Sequence, residues 1–429
     1  YHNPRGTLMV TSTQLDNGVR VLVEQDPRAY SSHVAIWVLA GTRHEYAHEE
    51  GLAHFLEHMA FKGTATRDAF AIARDVEDVG ASINAYTARD HTVYHGRCMA
   101  EDIHLLADVL ADIVLRSQMT AADVAVERDV VLQEIAQSEE TPDDIIFDLH
   151  NEFMFQDQSI GHRTLGRAER VAHYQVEEVA ALLARFVQPE RLVFAVAGPH
   201  EPAMIHNLAE TYFGGMRNAH ILGFEPEVVA SGGILWCPRS SEQAHSIWAV
   251  PIAGLSDASF PAWQVFANLY GGGMSSPLFQ EVREERGLAY CVYAFASGLR
   301  DIGQFGLYMG TRADRVVESQ SIARSILERL AARGCDQAML TRAINQTRAA
   351  SLMSLEHASN RVDHAARQLQ IHGRIEDPMR MIERLEAITL DDIKDMAGQV
   401  LSDARPCVVG MGPGGEEKIE PQLQKLFAV

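Results

Sequence analysis

The chain is poor in cysteine: five residues (Cys98, Cys237, Cys291, Cys335 and Cys407) are scattered over 429 positions, odd in number and without a C-x-x-C pair. That excludes a disulfide scaffold and a cysteine-based zinc site, and it suits buried thiols in a reducing compartment. Long hydrophobic runs are missing too. No window approaches the ~18 uninterrupted apolar residues of a transmembrane helix, so no membrane insertion is expected. Nor is there a surplus of positive charge, since 37 Lys and Arg stand against 58 Asp and Glu, a net charge of −21. Phosphate binding needs a basic face, so nucleic acid is not an expected partner, and basic ligands are favoured instead. The leading Tyr1-His2-Asn3-Pro4-Arg5 lacks the apolar core of a signal peptide, although the chain does not begin with Met.

What is present is ordinary globular composition, 47% apolar and 22% charged. At roughly 100–200 residues per domain, the length predicts two to four domains. An Asn17-Gly18 turn precedes an alternating strand ending near Val23, and a second strand runs from His33 to Leu39. Apolar residues then recur with helical spacing over 50–61, 68–79, 102–115 and 121–137, with strands predicted at 82–87 and 92–98. Such mixed runs predict α+β domains with helices on one face of a largely antiparallel sheet. The second half repeats the first. The stretch from Arg170 to Val179 aligns with Arg384 to Ile393, Val196-Ala197-Gly198-Pro199 falls on Gly410-Met411-Gly412-Pro413, and Ala40-Gly41 falls on Ala253-Gly254. Displacements of 213–214 residues near both ends of the unit indicate its duplication. The expected domains are 1–213 and 234–429, joined by a Gly/Pro-containing linker over 214–233.

The sharpest local signal is His54-Phe55-Leu56-Glu57-His58, an H-x-x-E-H. On a helix, positions i and i+4 share a face, so both imidazoles can address one metal ion. Glu57 lies close enough to act on a water there. The pattern is the inverse of the H-E-x-x-H zinc signature. A hydrolytic zinc site takes three protein ligands and leaves one position open. The segment 127–134 offers Glu127 and Glu134, seven apart and therefore on one helix face. One could bind the metal while the other holds a ligating histidine. Periodicity does not say which.

His54 to Thr64 (HFLEHMAFKGT), Asn84-Ala85-Tyr86-Thr87, and Glu127 with Glu134 together resemble the pitrilysin/insulysin metallopeptidase family. Within it the chain is most similar to the catalytic β subunit of mitochondrial processing peptidase and its bacterial relatives. The resemblance implies one zinc ion per chain, bound by His54, His58 and Glu134, with Glu57 as general base and Glu127 behind a zinc-binding histidine. It implies two duplicated α+β domains, each a largely antiparallel sheet covered by helices, that form half of a clamshell chamber. Applying the displacement of 213 puts Ala267, Tyr270 and Gly271 at the metal positions of the second half, so that half is expected to bind no metal. The implied function is zinc-dependent endopeptidase acting on unstructured peptides; the alternative is a noncatalytic structural or peptide-binding subunit of a larger complex. A half-chamber implies a dimer, either with itself or with an inactive homologous chain. A bacterial cytoplasmic location is favoured over periplasm or mitochondrial matrix.

The resemblance also implies that the peptide lies along the strand at 82–87, against Asn84, Ala85 and Tyr86, in a mode that draws affinity from main-chain hydrogen bonds. Arg283 and Tyr290 match the family's pair that orients the peptide, with Arg286 as the competing arginine. Asp144 and Asp148, four apart on an expected helix, fall where processing peptidases receive a substrate arginine. Peptides carrying Arg just before the scissile bond are therefore expected to be cleaved faster than their Ala counterparts; equal kcat/KM for the two would overturn the assignment.

Overall fold

Gly18 takes a left-handed φ of +103°, so the Asp16-Asn17-Gly18 stretch reverses the chain and pairs β1 (Val10–Gln14) with β2 (Arg20–Gln25) antiparallel. This hairpin opens a computed structural model that describes residues 10–217, 228–402, 406–414 and 416–427. Most of the expected linker, 218–227, lies outside the described residues, as do the first nine positions. The described chain forms two compact units, one of 10–136, 162–217 and 354–376, the other holding the remainder.

The first unit is built on six strands. β3 (Ser31–Val38), β4 (Ser82–Thr87), β5 (Thr92–Met99) and β6 (Leu192–Gly198) join the hairpin in the order β1-β2-β6-β3-β5-β4. Every neighbouring pair is antiparallel except β2 with β6. The strands expected at 82–87 and 92–98 form as such, and the helical spacing over 50–61 becomes helix α1 (Leu52–Met59).

The second unit holds β7 (Gly233–Pro238), β8 (Ala244–Ala253), β9 (Ala289–Gly298), β10 (Ile302–Thr311) and β11 (Cys407–Gly412) in the order β7-β11-β8-β10-β9. That is the order β2-β6-β3-β5-β4 over again, with the one parallel pair in the same place. Arg20 pairs with Val193 in the first sheet and Gly233 with Cys407 in the second. Those partners are displaced by 213 and 214 residues, so the internal repeat is a repeat of sheet register.

Helices cover both faces of each sheet, not one as the sequence suggested. In the first unit, α1 and the Ile103–Leu115 helix pack on one side with Val21, Val34 and Phe194. On the other, the Ala358–His372 helix sets Val362, Ala365, Ala366 and Leu369 against Leu22, Trp37, Val93 and Val193. Strand β2 is accordingly buried on both faces from Val21 to Val23 rather than alternating with solvent. Burial of Val362 and Leu369 contributes on the order of 3–6 kcal/mol as an upper bound. In the second unit the Pro142–Met154 helix brings Ile145, Ile146 and Met154 onto Ile247, Ala249 and Val409. The opposite face carries Trp248, Phe305 and Val408. Among the described residues no helix is long and apolar enough to cross a membrane, and all five cysteines are free.

Two glycines fix how α1 begins. A Cβ on Gly41 would meet Ala88 O at 2.1 Å, and one on Gly254 would meet Ile302 N at 2.4 Å, so both sheets need glycine at the same turn. From there α1 starts at the eleventh residue, but the corresponding helix, Phe260–Ala267, starts at the sixth. Counted from the helix starts, the positions of His54, Glu57 and His58 become Ala262, Val265 and Phe266 rather than the residues that a constant displacement gave. Gly51, at φ +90°, ends the approach to α1, and a Cβ there would lie 2.5 Å from Gly166 Cα. Gly51→Ala is therefore expected to cost about 2–5 kcal/mol, from left-handed strain and overpacking together. Gly80, at φ +66° with open space around it, bears only the strain, about 1–2 kcal/mol on substitution by Ala; urea unfolding of the two variants checks the difference.

Candidate metal centre

Helix α1 buries Leu52, Ala53, Phe55, Leu56 and Met59, which leaves His54 and His58 together on its remaining face. Its N-terminus has no side-chain cap of its own. The buried Glu45 serves instead, accepting from Gly51 N at 3.2 Å and Ala53 N at 2.7 Å, where a carboxylate also suits the helix dipole. Burial pushes the Glu45 carboxyl up to about 7 against the pull of His162 and these backbone donors.

The Ala121–Glu139 helix turns Val124, Glu127, Val131 and Ile135 inward. Glu127 Oε1 lies 2.7 Å from His58 Nδ1, and Lys62 pairs with the other oxygen of the same carboxylate. An ionised carboxylate only accepts, so Nδ1 carries the proton and the Nε2 lone pair of neutral His58 points away from Glu127. Burial tends to lower the His58 pKa, but the bond to Glu127 and the charges of Glu134, Glu127 and Glu57 outweigh it and the net shift is upward. Glu127, although buried, is held below the usual carboxylate range by His58 and Lys62. His54 moves the other way: burial, reinforced by His58, lowers it to about 3, so it is a neutral donor at any ordinary pH.

His54 Nε2 and His58 Nε2 are 3.2 Å apart, and Glu134 Oε2 lies 3.8 Å from the first and 3.5 Å from the second. Among the described residues this is the one trio of His, Cys, Asp or Glu side chains drawn together tightly enough to share a metal ion. Ligand distances of about 2.0–2.2 Å in a tetrahedral site correspond to donor separations of about 3.3–3.6 Å. The triangle fits. Two neutral imidazoles and one carboxylate, with His58 fixed from behind, are the donor set of a zinc site with one position left open. Glu57 sits beside it, only 9% exposed, and Thr87 Oγ1 donates to its Oε2 at 2.6 Å. Burial raises the Glu57 pKa, with Thr87 and His58 opposing and Glu134 assisting.

Comparison with known proteins matches residues 20–168 to the insulinase (peptidase family M16) domain and residues 173–347 to the peptidase M16 inactive domain. An uncharacterized zinc protease of Mycobacterium bovis is 33% identical, covering 98% of this chain and 97% of its own length. One from Bacillus subtilis is 30% identical over 92% of this chain and 96% of its own. The chain belongs to peptidase family M16. Its fold is also that of a protease from Helicobacter pylori, at TM-score 0.88 and 18% identity, covering 95% of this chain and all of that one. The resemblance drawn from the sequence motifs is thus borne out at the level of the family.

The other expected M16 site residues are placed as follows. Asn84, Ala85 and Tyr86 lie on β4, the edge strand of the first sheet, with β5 as its one neighbour. Ala85 N donates to Asn84 Oδ1 at 2.9 Å, so this N–H points off the open edge and not into the ladder. In the second unit, Arg283 lies in a π-helix, Phe279–Glu284, with its guanidinium 4.8 Å from the Phe279 ring and 5.6 Å from that of Tyr290. Arg286 instead donates to Glu281 O at 2.7 Å and Glu285 Oε2 at 3.3 Å. Asp144 and Asp148 stand one turn apart on the Pro142–Met154 helix, and Asp144 Oδ2 accepts from Ser138 Oγ at 2.7 Å.

Sequence reading overlooked Thr87, Lys62, Glu45 and Phe279. The first two had a usable signal, since Thr87 shares a strand face with Ala85 and Lys62 follows His58 by one helical turn. Glu45 had none, because a cap six to eight residues upstream depends on the loop between. With His58 oriented by Glu127, Glu127→Ala is expected to weaken zinc binding about 10–100-fold; competition with a chromogenic chelator measures it.

Proposed function

We propose that the chain is a zinc-dependent endopeptidase that hydrolyses unstructured peptides, with one zinc ion held by His54, His58 and Glu134. The observation that carries this reading is the donor triangle with the buried Glu57 carboxylate beside it. When bound, zinc supplies Lewis acidity and brings the pKa of water toward about 7. The chain's own residues do the rest. Glu57, whose pKa burial has raised, takes the proton of the attacking water and returns it to the leaving amine. Glu127 keeps His58 in the ligating tautomer, and Lys62 keeps Glu127 ionised.

The substrate adds to β4 as a further strand. Ala85 N–H, satisfied internally by Asn84 Oδ1, is a donor that a peptide carbonyl can take over without leaving a buried group unpaired. Arg283 and Tyr290 are the pair that orients the peptide in this reading. Arg283 is favoured over Arg286 because Arg286 is already engaged by its own segment. Asp144 and Asp148 receive a basic side chain near the scissile bond. Two such chains, or this one with an inactive homologue, enclose the peptide in a chamber that admits only a flexible chain.

A noncatalytic role would not require a proton-accepting carboxylate beside three metal donors. The experiment is zinc content and peptide hydrolysis for the wild type and Glu57→Gln. The expected result is one zinc per chain in both, with kcat reduced about 100- to 10,000-fold in the variant. Undiminished turnover in a variant that retains its zinc would falsify the mechanism.

A further inference from the structure

The peptide-binding strand and the base are joined by a single side chain. Thr87 ends β4, on the same face as Ala85, and its hydroxyl donates to Glu57 Oε2 at 2.6 Å. Among the described residues Glu57 Oε1 accepts no hydrogen bond. The backbone beyond Thr87 is itself tied down: Ala88 N donates to His91 O at 2.8 Å, Thr42 N to Ala88 O at 3.2 Å and Arg43 N to Arg89 O at 3.0 Å. Gly41 is what lets those chains approach.

We infer that Thr87 is a positioning residue: anchored in the edge strand, it pins one oxygen of Glu57 so that the other is held ready for the water proton, and so links peptide addition at β4 to alignment of the base. The inference rests on the reading of Glu57 as general base. A glutamate has three rotatable side-chain bonds, and an unpinned carboxylate spreads over several rotamers. A base displaced by about 1 Å loses on the order of 100-fold in rate. Because the pin comes from the strand that receives the peptide, any shift of that strand is passed directly to the base. Ala85 and Thr87 are two residues apart, so peptide pairing at the first acts one pleat from the hydroxyl of the second.

Thr87→Val removes the hydroxyl and keeps the β-branched shape that suits a strand. With zinc affinity and melting temperature matched to the wild type, it is expected to lower kcat about 10- to 100-fold and leave KM within about threefold. Thr87→Ser should restore most of the loss, and Thr87→Ala supplies a second hydroxyl-free variant should the valine disturb the strand. Adding Thr87→Val to Glu57→Gln should cost nothing further, since the pinned group is already gone. A valine variant with wild-type kcat overturns the inference, as does a loss that serine fails to restore. A readout without turnover separates the two readings: the Glu57 carboxylate stretch in infrared difference spectra, identified by its disappearance in Glu57→Gln, should shift in Thr87→Val. If the zinc-loaded wild type hydrolyses no peptide, the peptidase reading fails, and this band alone decides: a shift keeps the pin and an unmoved band removes it.

Discussion

The hydrogen bond between His58 and Glu127 governs more of the first unit than any other single contact, because it settles a proton. With Nδ1 committed to Glu127, the lone pair of neutral His58 is on Nε2, where it faces His54 and Glu134. Remove that commitment and the ring can rotate or take the other tautomer. The two nitrogens 3.2 Å apart would then be a hydrogen-bonded pair and not a pair of donors to a third partner. The same bond requires Glu127 to be ionised while buried, which is costly without a counter-charge. Lys62, one of only four lysines in the chain, supplies it through Glu127 Oε2.

Around this contact the two units show what duplication preserves and what it releases. Sheet order, the single parallel pair and the glycine at the turn before the helix are kept, because each is a constraint of backbone geometry. The trio of donor side chains is not, among the described residues. Where the first unit has His58, the second has Phe266, packed with Trp263 and Tyr270 about Phe305 with ring centroids 5.0–5.9 Å from it. The helix there packs into the core, and the loop leading to it is five residues shorter. Gly51 and Glu45, which set the start of α1, have no reason to persist there.

Much of this was legible in the sequence, for physical reasons that differ by residue. His54, His58, Glu127 and Glu134 could be read because helical spacing puts them on shared faces before any tertiary structure is known. The edge strand could be read as Ser82–Thr87 because turn residues bound it and its composition favours β structure. The second helical layer could not. The strand β2 and the Ala358–His372 helix are more than 330 residues apart, and nothing local in Val21-Leu22-Val23 says whether one face or two will be covered. The sequence likewise left Arg286 as a competitor to Arg283. In the structure Arg283 stacks on aromatic rings while Arg286 is tied to its own segment.

The helices that close the outer faces of the sheets are drawn from opposite halves of the chain: 137–161 belongs with the second sheet and 354–376 with the first. For a ribosome-borne chain this sets a timetable. The residues of the metal centre are all synthesised by position 134, yet the sheet beneath them keeps Leu22, Trp37 and Val193 uncovered until the Ala358–His372 helix emerges. From Val193, the last of these residues to be made, to Ala358 more than a third of the polypeptide is therefore synthesised while that apolar face is waiting, and neither half of the gene, expressed alone, encodes a complete layer stack. Each half therefore depends on the other for the helix that covers its sheet.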